Sequence, residues 1–226
     1  MNTADLFGDA SSAPARPDRE LCPGAMLLPG FALASESGLL AGIDAVIAQA
    51  PFRHLLTPGG LRMAVAMTNT GSLGWISDRR GYRYGPADPD TGKPWPAMPQ
   101  TFLQLASNAA THAGFVGFVP DACLINRYQA GARLWLHQDR DEHDYGQPIV
   151  SVSLGVPATF LFGGLKRSDR TQRIPLAHGD VVVWGGPARL CYHGVLPLKP
   201  GHNHAFDKDR INLTFRCAGQ ALIRSG

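Results

Sequence analysis

Three residues set the chemistry open to this chain: His137, Asp139 two positions later, and a lone downstream His193. Two imidazoles and one carboxylate form a ligand set that grips ferrous iron on one face and leaves the remaining positions open for oxygen chemistry. In an extended strand alternate side chains point the same way, so His137 and Asp139 can share a metal while Gln138 turns aside. His193 must return through the fold to complete the set. An H-x-D pair by itself arises by chance in most chains, and its weight comes from its surroundings. Those surroundings include Arg210, Asn212 and Arg216, crowded near the C-terminus.

Over 210–217 Ile211, Leu213, Phe215 and Cys217 form an apolar face, with Arg210, Asn212, Thr214 and Arg216 opposite. Over 122–128 Ala122, Leu124, Asn126 and Tyr128 share one face, and Cys123, Ile125 and Arg127 the other. A single polar row of this kind is ordinarily a solvated outer face. In a barrel it can instead face an internal cavity that binds an anion. Arginine suits that role because its planar fork pairs a carboxylate through two charge-assisted hydrogen bonds. Two arginines, an asparagine and a tyrosine hydroxyl beside a candidate iron site fit a small dicarboxylate. 2-Oxoglutarate is such a molecule: it chelates iron and supplies the electrons that oxygen activation needs.

The elements that must position these residues follow from periodicity. Leu39, Leu40, Ile43, Val46 and Ile47 predict a helix over 36–49, with Ser35 as N-cap and Pro51 as its stop. Phe102, Leu105, Ala106 and Ala109 predict a second over 99–112, with Pro99 in its first turn and Gly114 closing it. Beyond Ala122 the pattern changes to short strands at 122–128, 133–138, 149–155, 158–162, 173–177, 180–184, 189–195 and 210–217. Helices followed by a run of short strands without helical crossovers predict a mainly β, α+β protein with an antiparallel barrel or jelly-roll core. Residues 1–20 read as a mobile lead-in and 21–226 as one domain. Within that domain, 21–118 form an N-terminal extension and 119–217 the core. The Gly- and Pro-rich stretch 70–98 reads as a lid or binding surface rather than core.

Composition sets bounds. At 226 residues, 44% apolar, 17% charged and net charge +3, the chain is an ordinary globular protein that permits an acidic partner without demanding one. Cys22, Cys123, Cys191 and Cys217 are scattered, which fits neither a zinc knuckle nor a disulfide framework and suggests reduced thiols. No apolar run approaches the roughly 18 residues of a membrane span, and the first residues lack a signal-peptide pattern. The expectation is a cytoplasmic monomer that does not engage membranes. In the lid, Trp75, Tyr82 and Tyr84 alternate with Arg79, Arg80, Arg83 and Lys93, the pattern by which stacking aromatics and cations hold single-stranded nucleic acid. Lys166 and Arg167 form a second small basic point. Residues 139–150 start like a calcium loop but lack its glycine and terminal glutamate. His202 and His204 read as a surface loop.

The chain resembles the AlkB family of iron- and 2-oxoglutarate-dependent nucleic-acid demethylases from about residue 20 to 217. The resemblance rests on TPGG (57–60), MAVAMTNTGSLGW (63–75), KPWPAMPQ (93–100) and FVPDACLINRYQAGARLWLHQDRDE (118–142). It continues through PIVSVSLGVPATFLFGGLKR (148–167), HGDVVVWGG (178–186), YHGVLPLK (192–199) and RINLTFR (210–216). It implies a double-stranded β-helix core with a nucleotide-recognition lid at about 57–98. It makes His137, Asp139 and His193 the Fe(II) ligands and Asn126, Tyr128, Arg210, Asn212 and Arg216 the contacts to 2-oxoglutarate, Arg210 taking the distal carboxylate. Trp75, Tyr82, Arg167, Met63 and Thr57 become substrate contacts, and Asp141 sits beside the exocyclic amine of the base. The chain departs from the family pattern at Trp135, bulkier than expected beside the metal strand, and over 202–209 (HNHAFDKD).

The activity so implied is hydroxylation by O2 of N-methyl groups on 1-methyladenine and 3-methylcytosine, releasing formaldehyde, succinate and CO2. The partner is alkylated single- or double-stranded DNA, with RNA as a further substrate. Three rivals stay in view: the same oxygenase core acting on a protein or metabolite, a non-catalytic nucleic-acid-binding protein, and a zinc hydrolase. The paired arginines speak against the last two, and the basic aromatic lid against the first.

Overall fold

Strands whose two faces differ in chemistry must be covered differently on each side, and this chain covers them with a second sheet on one side and helices on the other. The computed structural model describes residues 16–219, so the expected lead-in lies largely outside the described residues. The main sheet is antiparallel, in the spatial order β1 (Arg19–Cys22), β2 (Ala25–Leu28), β11 (Val181–Trp184), β8 (Ile149–Gly155), β13 (Arg210–Arg216), β6 (Ala122–Tyr128) and β3 (Ala66–Gly71). A smaller antiparallel sheet runs β10 (Gln172–Leu176), β9 (Ala158–Phe162), β12 (His193–Val195) and β7 (Leu134–His137). A separate hairpin joins β4 (Gly74–Asp78) to β5 (Gly81–Gly85).

Leu124, Tyr128, Val182 and Trp184 of the main sheet share one core with Phe160, Phe162, Ile174 and Val195 of the smaller one. Two facing antiparallel sheets make the jelly roll that the strand pattern predicts. On the outer side α1 (Glu36–Gln49) and α2 (Gln100–His112) place Leu39, Ile43, Phe102 and Leu105 against Ile125, Ile211, Leu213 and Phe215. Phe102 meets Phe215 edge-on at 6.0 Å, pinning α2 to β13. Burying each such side chain stabilises the fold by about 1.5–3 kcal/mol. Because the odd-numbered residues of β13 face the helices, its polar row must face inward between the sheets.

Several local expectations change. Ser35 occupies the N-cap position but makes no side-chain capping bond; the acidic Glu36 is the first helical residue. Pro99 precedes the second helix rather than entering it, and its carbonyl accepts the Phe102 and Leu103 amides. The strand expected over 189–195 shrinks to β12, because the 3-10 helix Gly186–Ala188 runs on into a turn at 189–190. Strands β1, β2 and β3 and the β4–β5 hairpin were not anticipated. Part of the 70–98 stretch is core after all: Ile76 and Trp95 are buried together with Ala50.

Candidate metal centre and the cavity around it

The pairing of β12 with β7 sets His193 directly opposite His137, with ring centroids 4.4 Å apart. Gly194 allows that approach, since a Cβ there would lie 2.7 Å from the Leu134 carbonyl oxygen. Strand β7 ends at His137, so Asp139 sits in the following loop rather than in the strand. Its carboxylate still turns inward, with Oδ1 3.6 Å from His137 Nε2 and Oδ2 3.8 Å from His193 Nε2. One ligand atom from each residue lies within 4.8 Å of the others, and the 3.6 and 3.8 Å separations from the carboxylate to the two imidazoles are ones that a single ion with bonds of about 2.0–2.2 Å can bridge.

The imidazoles are oriented for that task. His137 Nδ1 donates to the Trp135 carbonyl at 2.8 Å and His193 Nδ1 to the Cys191 carbonyl at 3.0 Å. A carbonyl only accepts, so both protons sit on Nδ1 and both Nε2 lone pairs are free for a metal. Burial, and then His137, lowers the His193 pKa to about 4, which keeps that ring neutral at pH 7. Burial alone would raise the Asp139 pKa. Arg216 foremost, then His193 and His137, outweigh it and hold the carboxyl well below the usual range. Arg216 binds Asp139 Oδ2 through Nε at 3.0 Å and a terminal nitrogen at 2.7 Å.

A second group, Glu36, His178 and His204, has similar spacing but different chemistry. His178 Nδ1 accepts the Gly155 amide at 2.8 Å, so its ring proton is on Nε2 and faces Glu36. A proton rather than a lone pair of His178 points into this group, 3.2 Å from Glu36 without making a hydrogen bond, while His204 Nε2 meets the same carboxylate at 2.7 Å; a metal would find one imidazole turned the wrong way.

His137, Asp139 and His193 open onto a cavity of about 770 Å³ between the sheets. Every site residue expected from the sequence lines it: Asn126, Tyr128, Arg210, Asn212 and Arg216 within, and Thr57, Met63, Trp75, Tyr82, Asp141 and Arg167 toward the mouth. Their environments differ. Arg210, only 1% exposed, stacks its guanidinium on Tyr128 (4.9 Å) and donates Nε to Ser153 Oγ (3.1 Å). One terminal nitrogen, Nη1, has no partner, and no carboxylate among the described residues pairs with Arg210. A buried cation without a counter-charge costs several kcal/mol, so the residues present fit an anionic ligand here. Asn126 Oδ1 is likewise unpartnered. Asn212 is committed to the fold, its amide donating to Ser151 Oγ and the Val152 carbonyl.

At the mouth, Asn69 clamps the Trp75 backbone by accepting its amide at 2.9 Å and donating to its carbonyl at 3.0 Å. Trp75 stacks on Tyr82 (5.4 Å, 16°) and donates Nε1 to Asp141 at 2.8 Å. Thr57 accepts the Leu61 amide, and Met63 packs against the inner core. Arg79, Arg80, Arg83 and Lys93 do not form the rim: Arg83 is bound to Asp78 in bidentate fashion, and Arg62, Arg133, Arg140 and Arg167 line the cavity instead.

Sequence reasoning missed the support beneath Asp139. Buried Glu142 accepts Tyr84 Oη (2.7 Å) and Arg189 (3.0 Å) and lies 3.3 Å from Arg216 Nε, while Arg189 also donates to the Asp139 carbonyl at 3.0 Å. This network ties strand β5 of the lid to the candidate metal ligand. In the sequence, Glu142 belongs to the stretch that starts like a calcium loop and fails its pattern, and Arg189 carries no local signal.

The profile of the 2OG-Fe(II) oxygenase superfamily matches residues 24–216. The chain is 57% identical over 217 residues to the alpha-ketoglutarate-dependent dioxygenase AlkB of Escherichia coli K12, covering 96% of this chain and 98% of that protein. It is 37% identical over 103 residues to the nucleic acid dioxygenase ALKBH1 of Mus musculus, covering 46% of this chain and 26% of that protein. The solved structure of OsALKBH1 superimposes with a TM-score of 0.78 at 29% identity, covering 88% of this chain and 99% of that one. A family match over this span, on a fold that gathers two imidazoles and a carboxylate beside a lone buried guanidinium, makes the chain an Fe(II)- and 2-oxoglutarate-dependent dioxygenase of the AlkB family.

Proposed function

We propose that this enzyme removes N-linked methyl groups from alkylated bases, chiefly 1-methyladenine and 3-methylcytosine, in single- and double-stranded DNA and in RNA. Iron bound with 2-oxoglutarate supplies oxidation of the methyl carbon by O2, with succinate, CO2, formaldehyde and the restored base as products. His137, Asp139 and His193 hold the iron through two Nε2 atoms and a carboxylate oxygen. Arg210, braced by Tyr128 and Ser153, takes the distal carboxylate of 2-oxoglutarate, with Asn126, Asn212 and Arg216 completing its pocket. Arg216 also keeps Asp139 ionised and oriented.

Trp75, backed by the stacked Tyr82 ring, presents its remaining face to an inserted base, with Met63 and Thr57 bounding the slot, and Asp141 accepts from its exocyclic amine. Arg167 and its neighbours on the rim hold phosphates. A target inside a duplex must be turned out of the stack, at least cost where the lesion already prevents pairing. The observation that carries this reading is a single cavity in which an iron ligand set, an uncompensated buried cation and an aromatic mouth rimmed by arginines meet. Among the described residues no helix is long and apolar enough to cross a membrane, consistent with a cytoplasmic setting.

Formaldehyde release from methylated and unmethylated oligonucleotides of the same sequence tests the reading. Release from the methylated strand alone is expected. Activity with neither, alongside turnover of a peptide or metabolite, would refute it.

A further inference from the structure

We propose that Trp135 and Arg133 form a second stacking platform at the rim of the cavity, for the base adjoining the inserted one on the same strand. The inference rests on the nucleic-acid reading above. Trp135 precedes His137 by two residues on β7, so both occupy the same face of that strand. The metal-facing imidazole and the exposed indole therefore belong to one continuous surface, and Trp135 lines the cavity at its rim.

Of the four tryptophans, Trp95 and Trp184 are buried and Trp75 is half-buried, while Trp135 is 68% exposed. That exposure leaves most of the indole open to a partner, and tryptophan is among the side chains that most often anchor one. The Arg133 guanidinium lies 3.8 Å from the centre of the indole, covering one face and fixing the orientation of the ring. The other face is the exposed surface. Arg133 itself forms no ion pair among the described residues, which leaves its charge for a phosphate. A flat π-surface backed by a free cation is what a base and its phosphate require, and it accepts any base. Leu61, 73% exposed at the same cavity mouth, adds apolar surface where the strand would enter.

The test compares wild type with Trp135→Ala and Trp135→Phe, loaded with iron and 2-oxoglutarate. The two substrates are a pentanucleotide with a central 1-methyladenine and 1-methyladenosine 5′-monophosphate. The ratio of the pentamer KM to the mononucleotide KM is expected to rise about fivefold to a hundredfold in Trp135→Ala, the range spanned by one stacked base. Trp135→Phe should recover most of it. Anisotropy of the labelled pentamer under anaerobic conditions, where nothing turns over, should show the same loss of affinity. An unshifted ratio, or equal losses on both substrates, would overturn the platform. Failure of the wild type to turn over either nucleotide would overturn it together with the nucleic-acid reading.

Discussion

Replacing Arg210 with methionine should strengthen the ligand-free protein while weakening its hold on 2-oxoglutarate. Arg210 is buried, its Nη1 lacks a partner, and its charge is offset by the Tyr128 ring and Ser153 Oγ rather than by a carboxylate. Burial accordingly pulls its pKa down, with Tyr128 opposing. Desolvating an uncompensated ion costs several kcal/mol, of which a cation–π contact returns about 2 kcal/mol. Methionine fills similar space without the charge, so the ligand-free protein should gain roughly 1–3 kcal/mol. For a domain of this size that raises Tm by about 2–12 °C. The cosubstrate would lose a charge-assisted partner worth about 1.5–3 kcal/mol, a weakening of roughly tenfold to a hundredfold or slightly more. Thermal unfolding with and without 2-oxoglutarate, with manganese in place of iron, reads both effects in one experiment. A lower Tm in the ligand-free variant with an unchanged response to 2-oxoglutarate would refute the reasoning.

His137→Ala, Asp139→Ala and His193→Ala should each reduce bound iron, measured by elemental analysis, and reduce turnover to below a few per cent of wild type. Glu142→Gln removes the buried charge that Arg189, Arg216 and Tyr84 share, and should cost about 3 kcal/mol, seen as a Tm lower by about 6–12 °C. An unchanged Tm would mean that the network contributes nothing net. Trp75→Ala should weaken binding of a methylated oligonucleotide by about 1–3 kcal/mol. The loss should be smaller on an undamaged strand, because alkylation makes the base cationic and more strongly attracted to an aromatic face. Equal losses by anisotropy would leave Trp75 a general docking residue.

The parts of this protein legible in its sequence are those whose signal is local. The alternation in 210–216 identifies a strand with one apolar and one polar face, and the structure turns that polar row inward because α1 and α2 cover the other side. The two helices are legible from their stripes to within a residue. His137 and Asp139 are legible as a pair even though the strand stops between them. What stayed hidden depends on partners distant in the chain. Strand β3 looks like part of a loop until β6 is there to pair with it, and β1 and β2 are too short to show a period. Arg83 reads as a phosphate-binding cation from its aromatic neighbours, whereas the fold pairs it with Asp78 five residues away across the hairpin. Glu142 and Arg189 meet only through the tertiary fold, 47 residues apart.

Oxidation of 2-oxoglutarate in this cavity should be coupled to removal of a base methyl group, and a single turnover with limiting 2-oxoglutarate measures that coupling. Enzyme is loaded anaerobically with iron and less than one equivalent of 2-oxoglutarate, mixed with a 1-methyladenine oligonucleotide, and exposed to O2. Succinate, formaldehyde and repaired adenine are then quantified together. The account predicts one formaldehyde and one repaired base for each succinate, and none of the three with Asp139→Ala. Succinate formed without formaldehyde in the presence of the methylated strand would contradict it.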